Sequence, residues 1–138
     1  MLASASCGAS LTNYTTVDQT PSHGVTATAI VGSRGAGGDS VFVRLTNTET
    51  HPAFLPRCGA EPLLLHQQFV SGEWAGGVQN FMCLVPAAPG PVQLDPGATL
   101  QLVRVFSAPG RYRFTVSVAT TQDSSDAALA TSNAFDIP

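Results

Sequence analysis

In the stretch from Ser40 to Asn47, "SVFVRLTN", apolar side chains fall at every second position. Val41, Val43 and Leu45 share one face, and Phe42, Arg44 and Thr46 share the other. Successive side chains of an extended chain point to opposite sides, so this period of two predicts a strand with one face in a core. The same period runs through "GVTATAIV" (24–31), where small apolar residues alternate with threonine, and through Tyr112, Phe114, Val116 and Val118. Further strands are predicted over 62–70, 78–85 and 129–137. Between 100 and 105 the phase slips: Leu100 and Leu102 keep step, but Val105 does not, which predicts a bulge near Arg104. In the closing strand the alternation sends Phe135 and Ile137 inward and leaves Asn133 and Asp136 less buried. Almost nothing reads as helix.

Turn chemistry separates these runs. "GSRGAGGD" (32–39) carries four glycines and reads as a flexible turn. "SGEW" (71–74) reads as a hairpin turn, "PAAPGP" (86–91) as a proline-rich loop, and 123–126 as an Asp/Ser turn. In Asp95-Pro96-Gly97, proline pre-sets φ and glycine supplies the positive φ of a type II turn. Pro109-Gly110 turns the chain again. Pro52 and Pro56 bracket "PAFLP", predicted as a short edge segment because proline cannot donate to a central ladder. Residues 10–23 read as an extended arm or an irregular first edge strand. About seven to nine strands with regular turn signals predict an all-β fold, an antiparallel sandwich. At 138 residues the chain is long enough for one such core. The expected division is an N-terminal arm over 1–23 and a sandwich domain over 24–138.

Three stretches, "VFVRLTNTETHPAFLPRCG", "LDPGATLQLVRVFSAPGRYRF" and "SNAFDI", give the chain a resemblance to the immunoglobulin-like domains of bacterial envelope proteins and lipoproteins. Gly110-Arg111-Tyr112 resembles the tyrosine corner at the start of a late strand in such sandwiches. In antibody domains a cysteine follows that tyrosine by two residues; here Phe114 stands there, so the antibody disulfide is absent. The resemblance implies an adhesive, substrate-presenting or assembly module. Fold alone does not carry function.

Composition narrows the partners. Only 11% of residues are charged, against roughly 25% in typical soluble domains, and all six basic residues are arginine. The formal net charge is −3, so no basic footprint for nucleic acid or anionic lipid exists. Hydroxyl and amide side chains must make up the polar surface instead. No apolar run approaches the ~20 residues that a membrane-spanning helix needs.

There are three cysteines, Cys7, Cys58 and Cys83. Cys58 and Cys83 each end an apolar run, and a bridge between them would close a loop of about 25 residues, worth roughly 3–4 kcal/mol in the chain-entropy account. The alternative is two buried thiols acting as small hydrophobes. Cys7 follows a run of small residues that looks like the end of a bacterial lipoprotein signal, with Ser4 where such signals usually place leucine. It is a candidate lipid anchor; the alternative is an Ala/Ser-rich terminus without a role.

Candidate chemistry fails on spacing. A cupredoxin-type copper site would use His23, His51 or His66 with Met82 and Cys83, but no histidine follows Cys83 as such a ligand loop requires. No serine lies in Gly-x-Ser-x-Gly, and Gly35-Ala36-Gly37-Gly38 has no lysine or helix to make a phosphate cradle. Glu61 and Glu73, the one pair of acids to weigh for glycoside chemistry, lie in turn-rich segments where acids are ordinarily solvated. No enzyme activity, metal or cofactor is therefore expected. Trp74, between glycines, is either an exposed binding anchor or a plug over the cysteine pair. Arg57, beside Cys58, is a candidate for a fixed salt bridge or a partner contact; the alternative is a solvated loop residue. Asn13-Tyr14-Thr15 matches a glycosylation acceptor, a common signal that matters only on a eukaryotic secretory route.

Two functions follow. One is a structural accessory subunit docking on a membrane-associated protein assembly at the extracytoplasmic face, such as a respiratory or photosynthetic complex. The other is a free-standing, secreted or lipid-anchored module binding glycan or peptide near Trp74 and 86–91.

Overall fold

The computed structural model describes residues 19–79 and 90–138, and every regular element in them is a strand. β1 (Val25–Gly35), β2 (Gly38–Asn47) and β9 (Thr99–Phe106) form one antiparallel sheet in the order β1-β2-β9. The second sheet contains β6 (Leu65–Val70), β7 (Glu73–Gln79), β10 (Gly110–Val118), β11 (Ala128–Thr131) and β12 (Phe135–Ile137). β10 lies at its centre, with β6 on one edge and β11 and β12 in succession along the other. Short pairs complete the fold: β3 (Ala53–Leu55) with β8 (Val92–Leu94), and β4 (Arg57–Cys58) with β5 (Glu61–Pro62).

The two sheets close over one core. Val25, Ala27 and Ala29 of β1 and Val41, Val43 and Leu45 of β2 face Tyr112, Phe114, Val116 and Val118 of β10. These are the faces that the alternation predicts. At one end the core is aromatic: the Phe106 ring lies 4.6 Å from Tyr112, 5.3 Å from Phe135 and 5.7 Å from Phe114. Phe106 is on the first sheet and the other three rings are on the second, so this cluster holds the layers together. Aromatic pairs of this kind add about 0.5–1.5 kcal/mol each beyond burial.

Several expectations are corrected by local backbone chemistry. The glycine-rich 32–39 stretch is mostly hairpin: Arg34 pairs with Asp39 and Gly35 with Gly38, leaving a two-residue loop, Ala36-Gly37. The 62–70 run breaks at Leu63-Leu64, where the Leu63 amide bonds the Pro56 carbonyl instead of continuing a ladder. "PAFLP" is buried rather than an open edge, because Phe54 pairs with Gln93 on one side and bridges Ala119 on the other. The closing strand is broken over 132–134. Ser71 and Gly72, with φ of 52° and 83°, make the tight turn between β6 and β7 that was expected there. Gly97, at φ 76°, closes the expected Asp95-Pro96-Gly97 turn, with the Ala98 amide bonding the Asp95 carbonyl at 3.0 Å. The strand expected over 78–85 lies outside the described residues except for its first two, which belong to β7.

No bulge occurs near Arg104. β9 pairs with β2 in unbroken register from Thr99 to Phe106. The alternation holds because Arg104 itself points inward between Leu102 and Phe106, which turns Val103 and Val105 outward, 46% and 55% exposed.

Candidate docking face

Antiparallel register arranges the outward residues of β1, β2 and β9 into rows. Thr26, Thr46 and Thr99 make the first row, with the Thr46 and Thr99 hydroxyls 3.2 Å apart. Thr28, Arg44 and Gln101 make the second, and Arg44 Nη2 donates to Gln101 Oε1 at 3.3 Å. Ile30, Phe42 and Val103 make the third, a wholly apolar line across all three strands. Val105, opposite Ser40, follows. The Phe42 ring leans toward Gly32, where an added Cβ would meet its Cε2 at 2.5 Å. Ile30, Phe42, Arg44 and Gln101 line a shallow open cleft of about 260 Å³. Arg44 is the one charged side chain in these rows.

The opposite sheet holds the sequence-predicted Trp74. It sits within β7 rather than at the hairpin tip, half-buried, directly across from Phe69 at a ring separation of 5.1 Å. The Arg113 guanidinium carbon lies 4.4 Å from the indole centre, while Arg113 Nε donates to Gln67 Oε1 at 2.7 Å. Trp74 is thus neither a bare anchor nor a core plug, but one member of a surface row capped by a cation. Farther along this sheet, hydrogen bonds from Arg111 hold the Asp136 carboxyl below its ordinary range.

Arg57 is half-buried and bonded to backbone carbonyls. Its Nε donates to the Gly90 carbonyl at 3.0 Å and its Nη2 to the Pro91 carbonyl at 3.2 Å, tying β4 to the chain leading into β8. Cys58 is buried and disulfide-bonded. Cys7, Met82 and Cys83 lie outside the described residues, as do Asn13 and most of the 86–91 loop. Trp74, Arg57 and Cys58 belong to different elements and do not converge on one site.

The weighed chemical residues are dispersed too. His66 packs against Phe106 and Tyr112, His51 lies 3.7 Å from Glu49, and His23 Nε2 lies 2.7 Å from the Asp126 carbonyl. Glu61, its side chain 44% exposed, also accepts a 3.1 Å bond from buried Arg104. Glu73 is exposed beside the β6–β7 turn. Among the described residues no three His, Cys, Asp or Glu side chains group in a metal-binding arrangement.

Two buried polar residues were missed by the alternation. One is Arg104. The other is Asn133, which is fully buried, not partly exposed. Its Oδ1 accepts the Ala29 amide at 2.8 Å and its Nδ2 donates to the Ala29 carbonyl at 2.9 Å. An amide side chain thereby plays the part of a neighbouring strand for β1. Gln19 does the same one step earlier, donating from Nε2 to the Ala27 carbonyl at 2.7 Å. Free β edges invite unwanted pairing, and this edge is closed by side chains.

No family model and no curated protein matches the chain.

Proposed function

We propose that this chain is a non-catalytic docking module, an extracytoplasmic accessory subunit that packs against a protein of a membrane-associated assembly. The observation that carries the reading is the apolar row Ile30–Phe42–Val103, continued by Val105, on an outward sheet face with a single charge. Contiguous apolar surface on a folded domain costs solubility and persists where a partner covers it. Three strands about 4.8 Å apart and about eight residues long present roughly 400 Å², half of what one partner gives to a standard interface. That area suits an element of another protein better than stable self-pairing. The glycan-binding alternative is supported less, because Arg113 already occupies the indole of Trp74. The bond from Tyr112 Oη to the Ala108 carbonyl, 3.0 Å, supports an immunoglobulin-like relationship through its corner geometry.

Replacing Val103 and Val105 together by Asp should abolish co-purification with the native membrane-associated assembly while leaving the thermal transition in place, since both side chains point to solvent. Undiminished association of a folded Val103→Asp/Val105→Asp protein would remove the basis for this reading.

The disulfide at Cys58 supports an oxidising compartment. Its proposed partner is Cys83, seven residues before Gly90 in the chain, and Arg57 holds Gly90 and Pro91 beside β4. Cys7 is then left for a lipid anchor that tethers the domain to the membrane. Peptide mapping of natively isolated protein without reductant should recover a Cys58–Cys83 linked pair. A Cys58–Cys7 pair would exclude both assignments at once.

A further inference from the structure

The six arginines are not used alike. Arg34, Arg104 and Arg111 lie 3.0, 3.1 and 2.8 Å from the carboxylates of Asp39, Glu61 and Asp136. Arg57 is spent on backbone carbonyls, and Arg113 on Trp74 and Gln67. Arg44 differs. It is exposed, its one described polar contact is the 3.3 Å bond to Gln101, and no described carboxylate lies within ion-pair range. The rows of its sheet face contain no Asp or Glu at all. A guanidinium carries five donors in a planar fork matched to a carboxylate, so most of that capacity faces outward here.

From this we infer that the docking face receives an extended peptide segment whose Asp or Glu carboxylate pairs with Arg44 and whose apolar side chains, two and four residues on, lie over the Phe42 and Val105 rows. The inference rests on the docking reading above and adds the chemistry of the partner. The spacing follows from strand geometry. Side chains at i and i+2 of an extended chain share one face about 7 Å apart, the same separation as alternate residues of β2. A segment running along β2 therefore places acid, apolar and apolar residues in phase with Arg44, Phe42 and Ser40, the last standing opposite Val105. A phosphate-bearing surface fits worse, since the face has one cation and the whole chain is net negative at −3.

The test uses the full chain and three capped peptides, followed by backbone amide shifts. Acetyl-Asp-Thr-Val-Thr-Val-amide should move the amides of Ile30, Phe42, Arg44, Gln101 and Val103. Its midpoint should lie about three- to five-fold below that of the peptide with Asn first, the scale of one exposed ion pair. The out-of-phase peptide acetyl-Asp-Val-Thr-Val-Thr-amide should bind at least as weakly as the Asn peptide. Arg44→Gln should erase the Asp preference without altering the thermal transition, and added salt should shrink that preference in the native protein. Equal midpoints for Asp and Asn peptides, absence of shifts with any peptide, or inorganic phosphate moving the same amides as effectively would overturn the inference. The docking reading is judged separately by the Val103→Asp/Val105→Asp association assay, so failure of the peptide assay leaves it standing and the two failures are distinguishable.

Discussion

A chain ending at Ala127 should show no cooperative unfolding transition. The eleven residues beyond it, Ala128 to Pro138, supply β11 and β12, which together line one whole edge of β10. They also bury Ala130, Phe135 and Ile137 in the core. The Phe135 ring stacks on Phe114 at 5.2 Å and meets Phe106 at 5.3 Å, so its loss opens the aromatic cluster that joins the sheets. Removing a buried Phe costs about 3–5 kcal/mol and a buried Ile about 2–5 kcal/mol. Their sum already rivals the 5–15 kcal/mol of net stability typical of a domain. The deletion also strips the backbone partners of β10, including the Ser132 amide that donates to the Phe114 carbonyl at 2.9 Å. Urea denaturation followed by circular dichroism is the measurement. A sigmoidal transition in the truncated chain would show that the first sheet and β6, β7 and β10 fold without this closing segment.

The sequence made much of this legible because period two is a local property. Val41, Val43 and Leu45, and then Tyr112, Phe114, Val116 and Val118, reach the core as their spacing demands. The turn at Asp95-Pro96-Gly97 and the hairpin at Ser71-Gly72 were equally readable, since glycine and proline fix backbone angles on their own. What hydropathy misread were positions decided by distant partners. Arg104 lies on the core side, where Glu61, 43 residues away, accepts a hydrogen bond from its Nη2. Reading Val105 as inward and the arginine as outward required a bulge that does not exist. The docking face was half legible. Parity alone puts Phe42, Arg44 and Thr46 on one side, whereas alignment of Ile30, Phe42 and Val103 into one row depends on inter-strand register. Nothing local sets that register between β2 and β9, which are separated by more than fifty residues.

Asn133 belongs to the same class of misreading, and its removal is expected to be costly. Replacing it with Ala should destabilise the domain by about 3 kcal/mol. Two buried backbone groups lose their partners at once, the amide and the carbonyl of Ala29, and an unsatisfied buried group costs about 1–3 kcal/mol. Water is poorly placed to substitute, because both Ala29 and Asn133 are fully buried. Asn133→Asp tests which half of the pair matters: its carboxylate still accepts from the Ala29 amide but faces the Ala29 carbonyl without a donor. That variant should therefore be no more stable than Asn133→Ala at neutral pH, despite its closer shape. Urea midpoints with an unchanged slope give both values. A loss below about 1 kcal/mol for Asn133→Ala would mean that β1 rearranges to satisfy its own edge, and that the side chain is not the bridge between the sheets. Because the same substitution uncovers strand edge, self-association at high protein concentration should accompany the lost stability.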